Sequence, residues 1–147
     1  MFHKILVATD GSALSLKAVD AALSLARREG AEVVALTVVP RYPMSFLDGA
    51  MTYSPEEIAR TEKRWADDAQ AMLETVARAG AAAGTRVTTE TVSSDHVADA
   101  LLAAARKHGS DLIVMASHGR KGIRKLLLGS ETQHVLTHTE LPVLILR

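Results

Sequence analysis

A chain of 147 residues near 15.7 kDa suits one domain of ordinary size, and 48% hydrophobic with 23% charged residues are globular proportions that exclude disorder as the overall state. Seventeen Lys plus Arg balance seventeen Asp plus Glu, so no global field draws the chain onto nucleic acid or an anionic membrane, and any anion site must come from a local cluster. The absence of cysteine excludes a disulfide scaffold, thiol catalysis and thiolate metal sites.

Ile5 to Ala8 is too short an apolar run for a signal peptide, and no stretch approaches the ~18 apolar residues of a membrane span. The expectation is a cytoplasmic protein without membrane or nucleic-acid partners. Ile5–Ala8 is apolar on both faces, which predicts a central parallel strand covered by helices, and Thr9-Asp10-Gly11-Ser12 stops it. From Leu14 the period becomes helical: Leu14, Ala18, Ala21, Ala22, Leu25 and Ala26 share a face, with Ser12 as N-cap and Gly30 as the stop.

Glu32 to Val39 reads as a second buried strand ended by Pro40, and residues 40–54 as a long loop. Ser54-Pro55-Glu56-Glu57 opens a helix running to about Ala82, in which Trp65 is expected to pack into the core; Gly84 ends it. Arg86 to Val92 alternates and is rich in Thr, a polarity that suggests a sheet edge or a weakly covered face. Asp95 is expected to cap a helix with Val97, Ala100, Leu101 and Ala104 inward, ended by Gly109. Asp111–Ala116 is the fourth strand, residues 117–130 a basic loop with glycines, Ser130 to His138 a helix, and Leu141–Leu146 the last strand.

The order β-α-β-α-β-α-β-α-β predicts an α/β fold: one doubly wound parallel sheet with helices on both faces, a single domain over residues 1–147. Ligands of such sheets bind beyond the carboxyl ends of the strands, where strand order reverses. Two segments stand there, Ala8-Thr9-Asp10-Gly11-Ser12 and the stretch from Ala116 to Thr132. Glycines let the backbone approach an anion, Gly129-Ser130-Glu131-Thr132 opens a helix whose amides favour one, and Arg120, Lys121, Arg124 and Lys125 put four cations into six residues. The competing reading is that the glycines serve loop geometry and the cations solvate a surface.

Ile-Leu-Val-Ala-Thr-Asp-Gly-Ser near the start, Asp-Leu-Ile-Val-Met-Ala-Ser-His-Gly in the fourth strand, Leu-Leu-Leu-Gly-Ser after it and a terminal Leu-Pro-Val-Leu-Ile-Leu together resemble the universal stress protein family, in order and across the whole chain. The resemblance implies a five-stranded parallel sheet of order 3-2-1-4-5. It also implies a site for ATP or another adenine nucleotide, with or without Mg²⁺, in a stress-response sensor or regulator with protein partners that the sequence does not identify.

The nucleotide-binding pattern of the family is Gly, two residues, Gly, nine residues, Gly, Ser or Thr. It is matched by Gly119, residues 120–128, Gly129 and Ser130, with Ala116 at the first glycine position. Carried over residue by residue, Asp10 is expected to bond ribose or base, Ala8, Thr9 and Val38 to line the adenine slot, and Met115 to floor it. Gly119, Arg120, Gly129, Ser130, Glu131 and Thr132 are expected at the phosphates, with His118 beside them as a spacer rather than an acid–base group.

Asp10 can also simply cap the first helix. His134 and His138 are four residues apart, which reads as a helix-face pair rather than a metal site. No catalytic base is evident, Gly-x-Ser-x-Gly and the Walker pattern are absent, and any ATPase activity is expected to be slow. Two alternatives remain: a stress protein of the same fold that binds no ATP and works through protein contacts, and an adenylyl-transfer domain, which the short length disfavours. The uncharged strand 142–146 at a sheet edge is expected to pair with its copy in a homodimer.

Overall fold

In the computed structural model, which describes residues 1–42, 53–119 and 128–147, nine elements alternate along the chain. They are β1 (Lys4–Ala8), α1 (Ala13–Glu29), β2 (Glu32–Val39), α2 (Pro55–Ala82), β3 (Val87–Ser93), α3 (Val97–His108), β4 (Leu112–Ala116), α4 (Ser130–His138) and β5 (Val143–Leu146). All pairings are parallel and the order is β3-β2-β1-β4-β5. The parallel sheet expected from the element pattern stands, and its order is the one the family resemblance implies.

Local signals set the helix ends. The Ser12 side chain accepts from the Ser15 amide, and Gly30 closes α1 with φ of 69°, a left-handed conformation that glycine adopts without strain. Ser54 and Glu57 form a reciprocal capping box at α2, with Pro55 in the first turn. The α3 start differs from expectation. Its N-cap is His96, and Asp95 instead accepts the Arg41 amide at 3.0 Å, tying the β2 exit to the β3 exit. The inward face of α3 is also shifted: Ala98, Leu101, Leu102, Ala104 and Ala105 are buried, whereas Val97 is 37% exposed. An alanine-rich helix offers two nearly equal apolar stripes, so periodicity alone does not fix its phase.

The sheet divides the core into two layers. Ile5, Val7, Val33, Ala35 and Val114 point to the α1/α2 side, where Ala22, Leu73 and Val76 meet them. Leu6, Val34, Leu36, Ile113 and Met115 point to the α3/α4 side, against Leu101, Ala105 and Val135. Successive side chains of a strand alternate between faces, so strands buried on both faces need apolar runs, which Ile5–Ala8, Val33–Leu36 and all of β4 supply. The strand order reverses between β1 and β4, and the candidate site forms beyond the carboxyl ends of those strands.

Candidate functional site

The turn after β1 is held from within. Thr9 is buried; its hydroxyl contacts the Ser15 hydroxyl at 2.9 Å and accepts the Gly11 amide at 3.2 Å, while its carbonyl accepts from the Thr37 hydroxyl at 2.8 Å. Gly11 has φ of 78°, which the turn requires and other residues rarely adopt. Asp10 Oδ1 accepts the Ser12 amide at 2.9 Å. Asp10 therefore fixes the N-cap residue of α1 rather than capping the helix itself.

The segment after β4 converges on the same place. A Cβ on Gly119 would stand 2.9 Å from Asp10 Oδ2, so the two loops predicted from sequence lie in contact. A Cβ on Gly129 would stand 3.3 Å from the Ser117 carbonyl and 3.5 Å from His118 Cα. The Gly129 amide donates to that carbonyl at 2.8 Å, closing the loop on itself. Thr132 is fully buried, and its hydroxyl bonds the carbonyls of Ala116 and Ser117 at 3.2 and 3.1 Å. Glu131 Oε2 accepts the Ala98 amide at 2.7 Å and so serves as the cap that α3 lacks from its own side chains. The side chains of Glu131 and Thr132 thus turn onto this chain's own backbone. His118 Nδ1 lies 3.1 Å from the Ser117 hydroxyl.

Among the described residues, α4 is the helix whose first turn no side chain caps. Ser12 caps α1, Ser54 caps α2 and Glu131 reaches α3, but Gly129 has no side chain to offer. The opening turn of α4, the positive end of its dipole, follows Gly129, which lies against Ser117 and His118. Arg120 and the basic run through Lys125 lie outside the described residues.

Met115 and Ala116 are buried at the end of β4, Met115 within the α3/α4 layer, where Ala8 and Val38 pack against it. On the other flank of Asp10 lies a cavity of about 480 Å³, lined by Asp10, Gly11, Val38, Pro40, Trp65 and Asp68 and floored by Thr37, Val39, Ala69 and Met72. Its volume is that of a small-molecule site. Trp65 is therefore not the core residue expected from sequence. It is half-buried at the cavity wall and stacks on Tyr42, with ring centroids 6.0 Å apart and planes inclined by 15°. Trp65, Asp68 and Met72 follow helical spacing on α2.

His134 and His138 stack on one face of α4 with centroids 4.1 Å apart, and His134 Nε2 lies 2.9 Å from Asp99 Oδ1. No group of three or more His, Cys, Asp or Glu side chains suited to a metal occurs among the described residues.

The model of the universal stress protein family matches residues 1–147. Universal stress protein YxiE of Bacillus subtilis is 36% identical over 154 aligned positions, covering 100% of both chains. The structure of universal stress protein UspA from Lactobacillus plantarum superposes with a TM-score of 0.84 over 99% of this chain and 97% of that one, at 23% identity, a likeness of fold. A universal stress protein solved in complex with cAMP superposes with a TM-score of 0.70 at 27% identity, over 99% of this chain and 97% of its own. With the sheet order, the paired loops and the glycine cradle, these matches lead to one conclusion: the chain belongs to the universal stress protein family.

Proposed function

We propose that this chain binds an adenine nucleotide, with ATP as the reference ligand, beyond the carboxyl ends of β1 and β4, and acts as a ligand-gated regulator rather than a committed enzyme. The observation that carries this reading is the uncapped first turn of α4 opening onto a glycine cradle. Backbone amides and a helix dipole form an anion site without any cationic side chain. The amides of Ser130, Glu131 and Thr132, with the Ser130 hydroxyl, would hold the phosphates, while Asp10 would accept from the ribose hydroxyls. Ala116 is buried, and its carbonyl accepts from the Thr132 hydroxyl. The bound cAMP of the 27%-identical family member supports the choice of an adenine nucleotide.

Mass spectrometry of ligand released by denaturing the purified protein, followed by calorimetric titration of the emptied protein with ATP, with and without Mg²⁺, tests the proposal. Retained or rebound adenine nucleotide is expected. A protein that neither retains nor binds any would act through protein contacts alone.

The family membership gives this chain a second copy of itself as a candidate partner, and the sheet edges say where. On β3, Glu90 is engaged by Lys107 at 2.6 Å and by His108, so that edge is bordered by charge. On β5, Val143 to Leu146 carry no charge and Leu144 is 40% exposed. Antiparallel pairing of two β5 edges about a two-fold axis would satisfy both. Sedimentation at micromolar concentration should give twice the chain mass, with Leu144→Pro and Ile145→Lys shifting it toward monomer.

A further inference from the structure

We propose that Thr132 is the positioning residue of the anion site: its buried hydroxyl fixes the first turn of α4 to the end of β4, so that the turn is in place before a phosphate arrives. This inference rests on the nucleotide reading and assigns what holds its phosphate end. Three sets of bonds converge on that turn. The Gly129 amide donates to the Ser117 carbonyl at 2.8 Å, and Glu131 Oε2 accepts the Ala98 amide at 2.7 Å. Between them, the Thr132 hydroxyl reaches the Ala116 and Ser117 carbonyls at 3.2 and 3.1 Å.

Thr132 is 2% exposed, whereas Ser130 and Glu131 beside it are exposed. Its side chain therefore faces the protein and not a ligand, and its one hydroxyl proton is shared between two main-chain acceptors. Both acceptors lie where the sheet runs out. The ladder from β4 to β1 ends at Val114, and on the β5 side the Ser117 amide donates to the Leu146 carbonyl at 2.8 Å. Ser117 is thus held by β5 through its amide and by α4 through its carbonyl. A helix terminus attracts an anion only across its first turn, so the affinity drawn from it depends on where that turn stands to within about 0.5 Å. A directional bond to backbone sets that position more closely than apolar packing does.

The test compares ATP with adenosine, which shares base and ribose but lacks phosphates, by calorimetry on the emptied full chain. The unmodified protein is expected to prefer ATP. Thr132→Val keeps nearly the same shape without the hydroxyl. It should weaken ATP by about tenfold and adenosine by less than about threefold. Thr132→Ser restores a hydroxyl and should bring ATP to within about threefold of the unmodified protein. On the unmodified, ligand-free chain, the Gly129 amide should exchange with solvent at least about tenfold more slowly than an unstructured amide.

Equal loss of ATP and adenosine in Thr132→Val marks a general loosening of the fold and overturns the assignment. ATP affinity that the valine leaves unchanged, or that the serine fails to restore, overturns it as well. Unprotected exchange at Gly129 means that the turn forms only on the ligand, and it overturns the proposal even if Thr132→Val does not fold. Equal affinity of the unmodified protein for ATP and adenosine overturns this inference and leaves adenine binding standing. Failure to bind either one overturns it together with the reading beneath it.

Discussion

At the amino end of the strands, polar groups answer one another. The Asp111 carboxylate accepts the amides of His3 and Lys4 at 2.8 and 3.0 Å, Glu32 meets Lys4 and Arg86, and the amino terminus pairs with Glu29. At the carboxyl end, no side chain among the described residues caps the first turn of α4, glycines stand where a Cβ would touch Asp10 or the Ser117 carbonyl, and a cavity of about 480 Å³ lies between α2 and the β1 and β2 exits. One end is closed by its own side chains, and the other is where the proposed ligand would sit. Substitutions at the first end should therefore cost stability and leave binding alone, and substitutions at the second should do the reverse.

The strongest test at the closed end is Gly80→Ala. Gly80 sits where α2 crosses the start of β3, and an added Cβ would lie 2.1 Å from Val87 Cγ2 and 3.2 Å from the Thr85 carbonyl. The helix and strand must separate or Val87 must rotate, at a cost of about 1–3 kcal/mol, less what alanine gains in helix propensity. Thermal unfolding should move down by several degrees, while nucleotide affinity of the folded fraction stays unchanged. A loss of affinity without a loss of stability would break the contrast between the ends.

At the open end, Gly129→Val places a branched side chain against the Ser117 carbonyl and His118, at the mouth of the α4 first turn. The expected loss of ATP affinity is at least tenfold, about 1.4 kcal/mol, with the unfolding midpoint little changed. Gly119→Ala is milder. Its methyl group would meet Asp10 Oδ2 at 2.9 Å, and Asp10 is held by the Ser12 amide, so the carboxylate is displaced rather than lost. A weakening of about fivefold, near 1 kcal/mol, is expected by calorimetry. If Gly119→Ala weakened binding more than Gly129→Val, Asp10 rather than the helix terminus would carry most of the affinity.

The sequence made the sheet legible because strands buried on both faces leave apolar runs that no other element needs, and because Ser12, Ser54, Gly30 and Gly109 mark helix ends in plain view. Two close approaches of backbone were legible for a related reason: Gly119 and Gly129 stand where a Cβ would meet Asp10 or the Ser117 carbonyl, and glycine is what such approaches need. The α2 wall was hidden. Trp65 at helical spacing with Leu73 and Val76 reads as core, and nothing local distinguishes a residue facing packed side chains from one facing a cavity. The side-chain partners of Glu131 and Thr132 were not legible, because they arise from tertiary contact with α3 and β4.

The smallest effect expected is at Asp111, and it tests the closed end through pH. Burial by itself would raise the Asp111 pKa, but the amides of His3 and Lys4 outweigh it and hold the carboxyl below the usual range. Because the folded value is depressed, the stabilisation is present above the unfolded value of about 3.9 and is lost as pH falls through the folded one. Asp111→Asn removes the charge, and its side-chain carbonyl can serve only one side of the pair while its amide faces a donor. The cost at neutral pH should be about 0.5 kcal/mol, small because the site is partly solvated. Urea unfolding of both proteins should show that difference holding from neutral pH down to about pH 5 and shrinking below about pH 4, where the native carboxyl also gains a proton. A difference that stayed constant into acid would mean that packing, rather than the charge, holds β1 to β4 at this end.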